Sequence, residues 1–208
     1  MKGLFLAVFP ATKNLRLLLF FCKSCSVLHA VSWECASQLS EDYSIPLKAF
    51  SIVENWLPDN FVDFSKPQRA TLKSIGVVSN HPPEEIKLLP YYFNDDGICV
   101  EFIGGRNSRL VTPDLLSKFD VVVTIGKTVQ YSMGLGIPVY VYDRFGDNGY
   151  VTTLNFEGQK KYNFSGRPNC RKLDARGIYK DIKKFLRTTL WRQRRRFVCG
   201  ALQFVIFY

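Results

Sequence analysis

The sequence lacks long apolar runs, internal repeats and low-complexity tracts. Its apolar runs fall well short of the roughly 20 residues that a membrane-spanning helix needs, which excludes a multi-pass membrane protein. Disorder is also excluded, because apolar residues make up 47% and aromatic residues 14% of the chain, enough to bury a core that offsets chain entropy. With 208 residues, the chain forms one compact domain or two small ones.

Histidines are scarce and the cysteines follow no regular spacing. There are two histidines and six cysteines. In a chain of this size such cysteines are typical of reduced, mostly buried thiols in a cytoplasmic protein. A zinc cluster around Cys22, Cys25, His29 and Cys35 is an alternative, but structural zinc sites usually pair their ligands more regularly. We therefore predict no metal site.

Positive charge is concentrated in one segment. The net charge is +10, and residues 157–196 hold 14 basic and 3 acidic residues, whereas the remaining chain holds 14 basic and 15 acidic residues. A basic segment suits nucleic acid, anionic lipid or an anionic substrate, and charge alone does not choose among them. Because no nucleic-acid motif accompanies the charge, nucleic acid is not expected as a partner.

The basic segment ends in a cationic cluster, residues 192–196, followed by 12 mostly apolar residues, 197–208. Twelve residues are too few to span a bilayer as a helix. A cationic cluster joined to an apolar segment suits peripheral attachment to an anionic membrane. We therefore predict that the tail at 191–208 contacts the inner face of a membrane. The alternative is that its apolar residues pack against the N-terminal part.

Short apolar runs alternate with amphipathic stretches beyond residue 25. This pattern is typical of a parallel sheet covered by helices on both faces, so we predict an α/β fold with a Rossmann-like parallel sheet. The predicted strands are 27–31, 49–53, 75–79, 98–103, 120–125 and 138–142, and the predicted helices are 33–43, 83–90, 113–118, 128–135 and a last one from 174.

The polar segment 63–72 predicts a linker. It separates a small N-terminal part, residues 1–62, from a Rossmann-like domain at 73–190, which the tail at 191–208 follows. Ligands of doubly wound sheets sit at the carboxyl ends of strands. The loops that leave the strands of the larger domain are therefore where functional residues are expected.

The first such loop carries Asn80 and His81 after the strand at 75–79. Pro83 suits the first position of the following helix. His81 is a candidate for ligand contact, since it stands at a corner between strand and helix. The alternative is a plain turn into the helix.

The second loop joins a buried strand to a helix through Gly126, Lys127 and Thr128. Gly126 permits a tight turn, Thr128 is able to cap the helix, and backbone N–H groups at a helix start favour anions. Lys127 adds a positive charge, so the loop predicts a phosphate site; a capped helix with a solvated lysine is the alternative. An ordinary P-loop is not expected, because Val121 occupies the position of its first glycine.

The third loop, predicted at 143–149, holds two glycines among polar side chains. Its acidic pair, Asp143 and Asp147, stands at the end of a predicted strand. Paired carboxylates in such a place predict contacts with sugar hydroxyls, and a solvated turn is the alternative.

These loops resemble the nucleotide-sugar half of glycosyltransferases of the GT-B fold, and bacterial transferases of surface-polysaccharide synthesis most closely. The resemblance extends over residues 53–167. It is carried by Gly136, Ile137, Pro138 and Val139, which follow a short helix, and by residues 55–58, 79–83, 126–131 and 163–167.

The resemblance implies a hexosyltransferase-like enzyme with two Rossmann-like domains, the donor diphosphate at a helix N-terminus and the acceptor mostly on the N-terminal domain. The partners would be a nucleotide sugar and a polysaccharide or lipid-linked acceptor, with no cofactor besides the donor. The implied donor site coincides with the predicted phosphate site. Candidate donor contacts are Asn80, His81, Gly126, Lys127, Thr128, Gln130, Tyr131 and Asp143.

Two features depart from the resembled family. Many GT-B enzymes bind the ribose with a glutamate seven residues before the proline, but here Tyr131 stands there with Gln130 beside it. Only 62 residues precede the predicted linker, and residues 27–53 resemble the last strand, helix and strand of an N-terminal domain. The chain thus resembles an enzyme shortened at its N-terminus, and no catalytic residue is assigned.

Overall fold

The computed structural model describes residues 7–8, 28–62 and 71–187. The described residues up to 56, with residues 160–163, form one compact unit, and the described residues of 57–159 and 164–208 form a second. Most of the predicted linker and the whole tail at 191–208 lie outside the described residues, so the domain boundaries stay predictions. In the described part, no helix is long and apolar enough to cross a membrane.

The smaller unit contains a three-stranded parallel sheet of order β1-β2-β3, with β1 at Ala7–Val8, β2 at Leu28–Ala30 and β3 at Phe50–Ile52. Helix α1, Trp33–Tyr43, connects β2 to β3 and confirms the predicted helix over its whole length. It begins after Ser32, whose side chain accepts the Cys35 N–H at 3.2 Å. A short 3-10 turn, Leu47–Ala49, leads into β3.

The larger unit alternates strands and helices as predicted from the apolar pattern. Its elements are α2 (Asp59–Val62), β4 (Ser74–Val78), α3 (Glu84–Lys87), α4 (Leu89–Asn94), β5 (Cys99–Ile103), α5 (Pro113–Leu116), β6 (Val121–Thr124), α6 (Lys127–Gly134), β7 (Val139–Asp143), β8 (Gly146–Tyr150), α7 (Phe156–Lys161) and α8 (Ala175–Arg187). The last two residues of α7 belong to the smaller unit.

The five strands of the larger unit form one sheet of order β5-β4-β6-β7-β8. The first four are parallel, and β8 is antiparallel to β7. Ile75 of β4 pairs with Val100 of β5 on one side and with Val121 of β6 on the other. The strand order therefore reverses between β4 and β6, as in doubly wound sheets.

Helices cover both faces of this sheet. Val121 and Val123 of β6 pack with buried residues of α3, α4 and α8, whereas Val122 packs on the other face with buried residues of α2 and α5. In β7, Tyr140 and Val141 alternate in the same way. Strands buried on both faces explain the continuous apolar runs in the sequence. The predicted α/β fold with a Rossmann-like sheet is confirmed.

Strand β8 corrects the prediction of a loop over residues 143–149. Residues 146–150 form an antiparallel strand, and only Arg144 and Phe145 separate it from β7. The polar side chains of this strand are buried because they have partners within the fold. Asp147 binds Arg171, and the Asn148 side-chain amide donates to the Ser165 carbonyl oxygen.

The predicted helix at 83–90 is instead two helices. Leu88 ends α3 and precedes α4, and Pro90 stands in the first turn of α4. Pro83 is the residue before α3 rather than its first helical residue. Its missing N–H costs nothing there, because no helical acceptor exists for that position.

The three cysteines that the structure describes are less buried than predicted. Cys35 is buried in the smaller unit, but Cys99 and Cys170 are exposed. No group of three or more metal-ligating side chains occurs among the residues that the structure describes. Cys22 and Cys25 of the alternative zinc cluster lie outside them.

Candidate functional site

The carboxyl ends of β4 and β6 lie side by side where the strand order reverses. The Thr124 hydroxyl at the end of β6 donates to the Val78 carbonyl oxygen at the end of β4, at 2.8 Å. Ligands of doubly wound sheets bind in the crevice outside this switch point. Because β4 and β6 are parallel neighbours, the loops that follow them lie at one edge of the sheet. These loops carry three predicted site residues, Asn80, His81 and Gly126.

Gly126 shapes the start of α6. Its φ of 63° and ψ of −138° lie in a backbone region that residues other than glycine rarely adopt. Its N–H donates to the Phe164 carbonyl oxygen at 3.2 Å. Gly126 itself occupies the capping position, so the prediction that Thr128 caps the helix is wrong: Thr128 is the second helical residue, and no side chain of the described residues caps α6.

The uncapped start of α6 presents unused hydrogen-bond donors. Within the described part of the chain, the N–H groups of Lys127 and Thr128 donate to no acceptor. The positive end of the α6 dipole lies at the same helix start, so it adds to the attraction of these N–H groups for an anion. The exposed Lys127 side chain adds a full charge at the same place. Together these groups favour an anion, above all a phosphate.

Tyr131 has a packing role beside this helix start. Its ring stacks on Phe61 of α2 with centroids 4.2 Å apart. The Lys127 ammonium lies 5.3 Å from the Tyr131 centroid, one helical turn away. The ring therefore steadies the lysine near the helix start through a cation–π contact.

Gln130 is the buried polar residue of α6. It is 8% exposed, and its side-chain oxygen is buried with no hydrogen-bond donor in the described part of the chain. Side chains of a helix generally lean toward its N-terminus, and Gln130 is the fourth residue of α6. A buried carbonyl oxygen without a donor costs free energy, and a hydroxyl or N–H of a ligand would remove that cost.

The loop after β4 is fastened to the loop after β5. The Asn80 side-chain oxygen accepts the Gly105 N–H at 3.1 Å. Gly104 is required here, because a Cβ atom would lie 2.3 Å from the Ser79 carbonyl oxygen. His81 is exposed, and its backbone N–H donates to the Ser79 hydroxyl oxygen at 3.2 Å. Asn80 thus orders the loop that presents the imidazole.

The predicted acidic pair is separated in the structure. Asp143 ends β7 at the carboxyl edge, and its carboxylate accepts the Phe145 N–H at 2.7 Å. Asp147 is fully buried in β8, where Arg171 binds it through two contacts of 2.7 Å and the Tyr140 hydroxyl donates to it at 2.5 Å. The prediction that Asp147 binds sugar hydroxyls is therefore not supported by its position.

Two arginines at this edge escaped the sequence analysis. The guanidinium carbons of Arg144 and Arg167 lie 4.8 Å and 4.7 Å from the centroid of the Phe145 ring. The sequence offers one signal for Arg144 as a site residue, namely that it directly follows a buried strand. No sequence signal marks Arg167 as a site residue. It lies 23 residues further along the chain, and only the fold brings it to the turn.

Comparison of the chain with known proteins gives no match to a family model and none to a curated protein. The fold and the geometry of the carboxyl edge therefore carry the functional argument.

Proposed function

We propose that the chain is a glycosyltransferase that uses a nucleotide-sugar donor, or the donor-binding portion of such an enzyme. The observation that carries the proposal is the uncapped, cationic start of α6 beside the switch point of a doubly wound sheet. That is where such sheets bind phosphorylated ligands. The acceptor would be a polysaccharide or a lipid-linked glycan, as the sequence resemblance implies.

The α6 start would stabilise the leaving group of the transfer. When the sugar leaves, negative charge develops on the nucleoside diphosphate. Preorganised N–H groups and a fixed cation lower the energy of that charge in the transition state. The N–H groups of Lys127 and Thr128 and the Lys127 ammonium supply both kinds of group.

Three further candidate residues, Gln130, His81 and Asp143, are proposed to contact the rest of the donor. The buried oxygen of Gln130 is suited to accept a ribose hydroxyl in place of the glutamate of the resembled family. His81 is exposed across the switch point from α6, and Asp143 ends the neighbouring strand β7. Both are candidates for contact with the transferred sugar or the base.

The alternative function is that of a non-catalytic basic module that binds an anionic membrane surface or nucleic acid. It has less support from the described residues. Three basic residues of the segment 157–196 are paired with carboxylates rather than left for a polyanion. The pairs are Lys160 with Glu54 at 2.9 Å, Arg171 with Asp147 at 2.7 Å and with Asp181 at 2.5 Å, and Lys183 with Asp96 at 2.8 Å. Membrane contact through residues 191–208 stays a prediction.

The deciding experiment is a calorimetric titration of the full chain with a panel of nucleoside diphosphates. Replacing Lys127 by Ala removes a charge-assisted phosphate contact, which costs roughly 1.5–3 kcal/mol, a loss of about 10- to 150-fold in affinity. The matched control is Lys118→Ala at the opposite edge of the sheet, where the Lys118 carbonyl accepts the Ser74 hydroxyl. Equal affinities of the two variants would contradict the assignment.

The same preparation distinguishes the alternative function. It is titrated with RNA and with vesicles of acidic lipid at two salt concentrations. Steep salt dependence without any nucleotide binding favours the basic module. Nucleotide binding with little salt dependence favours the transferase.

A further inference from the structure

The Phe145 ring holds two cationic side chains at the carboxyl edge of the sheet. Arg144 belongs to the turn after β7, and Arg167 belongs to the segment before α8. Their guanidinium carbons both lie within 4.8 Å of the ring centroid. Guanidinium groups stack on aromatic rings and are weakly hydrated, so one ring holds two positive charges close together against their mutual repulsion.

The segment that carries Arg167 is tied to the start of α6. The Phe164 carbonyl accepts the Gly126 N–H, and three further residues of extended chain span at most about 11 Å. Gly166 packs against the turn after β7: a Cβ atom at this position would meet the Gly146 carbonyl oxygen at 2.1 Å. Arg167 therefore lies between the α6 start and the turn that holds Arg144.

Among the residues that the structure describes, charge at this turn is positive overall. Asp143 is the carboxylate of the turn, and it is partly engaged by the Phe145 N–H. The two arginines outnumber it, and Lys127 adds a third cation at the neighbouring strand end. Arg167 makes a further contact within the molecule, but a guanidinium has five N–H donors.

We propose that Arg144 and Arg167, stacked on Phe145, form a second phosphoryl-binding subsite next to the α6 start. Planar guanidinium groups bind phosphate oxygens in pairs, which a lysine does not do. The phosphoryl group comes from one of two sources, the second phosphate of the diphosphate held at α6 or a separate phosphate group. The first source rests on the proposed donor site, and the second does not.

The test compares two charge-matched double variants of the full chain. Arg144→Gln with Arg167→Gln removes the proposed subsite. Lys73→Gln with Lys118→Gln removes two exposed cations at the amino edge, where the Lys73 N–H and the Lys118 carbonyl contact Asp120 and Ser74. Calorimetry measures the affinity of each variant for a nucleoside diphosphate, for the matching monophosphate and for inorganic phosphate.

If the arginines hold the second phosphate, the arginine variant loses at least about tenfold in diphosphate affinity, while its monophosphate affinity stays that of the control. If they hold a separate phosphate, diphosphate affinity is unchanged, but inorganic phosphate no longer binds to the variant saturated with diphosphate. Both results support the subsite and separate its two sources. Identical binding by the arginine and lysine variants overturns it.

Two additional variants keep the test decisive. Phe145→Leu retains both charges but removes the ring, and it is expected to weaken phosphate binding several-fold. Arg144→Lys with Arg167→Lys retains charge without the planar donors and is expected not to restore binding. If no nucleoside diphosphate binds to the unaltered chain, the proposed function fails, and the inorganic phosphate titration alone then decides the subsite.

Discussion

A single buried carboxylate, that of Asp147, joins three parts of the larger unit. It accepts the Tyr140 hydroxyl of β7 and two N–H groups of Arg171, and Arg171 also binds Asp181 of α8. The carboxylate is fully buried, whereas the Arg171 side chain is 49% exposed. The pair is therefore buried on one side and hydrated on the other.

We predict that Asp147→Ala lowers the free energy of unfolding by about 3 kcal/mol. This is the lower end of the range for breaking a buried ion pair, because Arg171 regains water when its partner is lost. Urea unfolding followed by circular dichroism measures the change. The control is Asp181→Ala, whose partly exposed pair is worth about 1 kcal/mol or less, and equal losses for both variants would argue against the central role of Asp147.

Three buried tyrosines predict a loss of stability in alkali. Burial raises the pKa of Tyr140, Tyr142 and Tyr150 well above the ordinary value. Hydrogen bonds to Asp147 and Glu85 raise the pKa of Tyr140 and Tyr142 further. Their hydroxyls therefore stay protonated in the fold, but they ionise near pH 10 once the chain unfolds.

Stability from these tyrosines is fully present below about pH 10 and is lost as the pH rises above it, by about 1.4 kcal/mol per pH unit for each tyrosine. Urea unfolding at several alkaline pH values measures the slope. Tyr140→Phe removes one titrating group and is expected to make the slope shallower by about 1.4 kcal/mol per pH unit. A slope that is the same with and without Tyr140 would show that its hydroxyl ionises normally in the fold.

At the scale of elements, two glycines of similar sequence surroundings are expected to respond oppositely to substitution. Gly166→Ala places a Cβ atom 2.1 Å from the Gly146 carbonyl oxygen and 2.6 Å from the Asp143 carboxylate, and such overpacking costs about 1–3 kcal/mol or more. Gly158→Ala meets no atom within 4 Å inside α7, so it is expected to stabilise by about 0.5–1 kcal/mol. Thermal unfolding of both variants decides the signs.

Strands β6 and β7 were predictable because continuous valine-rich runs have few uses other than a strand buried on both faces. Strand β8 was not predictable, since residues such as Gly146, Asp147, Asn148 and Gly149 are typical of turns. Their burial depends on Arg171 and on the Ser165 carbonyl, partners that no local pattern indicates. The Arg144 and Arg167 pair was missed for the same reason.

The shared edge of the loops after β4 and β6 was predictable from one rule, that strand ends of a parallel sheet share an edge; the binding roles of their residues stay predictions. The capping residue of α6 was not predictable, because glycine and threonine, here Gly126 and Thr128, are both common near helix starts. Backbone geometry decided between them. The unpartnered oxygen of Gln130 likewise depends on packing, which spacing in the sequence does not reveal.

For the whole molecule, the two compact units predict unequal local stability. Among the described residues, the buried apolar cluster of the smaller unit consists of Ala30, Cys35, Ala36 and Leu39, whereas large side chains fill both faces of the sheet in the larger unit. We expect amides of β2, α1 and β3 to exchange hydrogen well before those of β4, β6 and β7. Native-state exchange followed by mass spectrometry measures this, and simultaneous exchange would indicate one cooperative unit.

The strand order has a consequence for self-association. An outer strand with unpaired backbone groups invites a second molecule to add its own strand. On one side of the five-stranded sheet, the backbone of β8 is already bonded to the segment at Arg171, where the Asp147 N–H donates to the Arg171 carbonyl at 2.9 Å. On the other side, β5 carries the ion pair of Glu101 with Arg109. Within the described strands, both borders of this sheet thus oppose growth into fibrils.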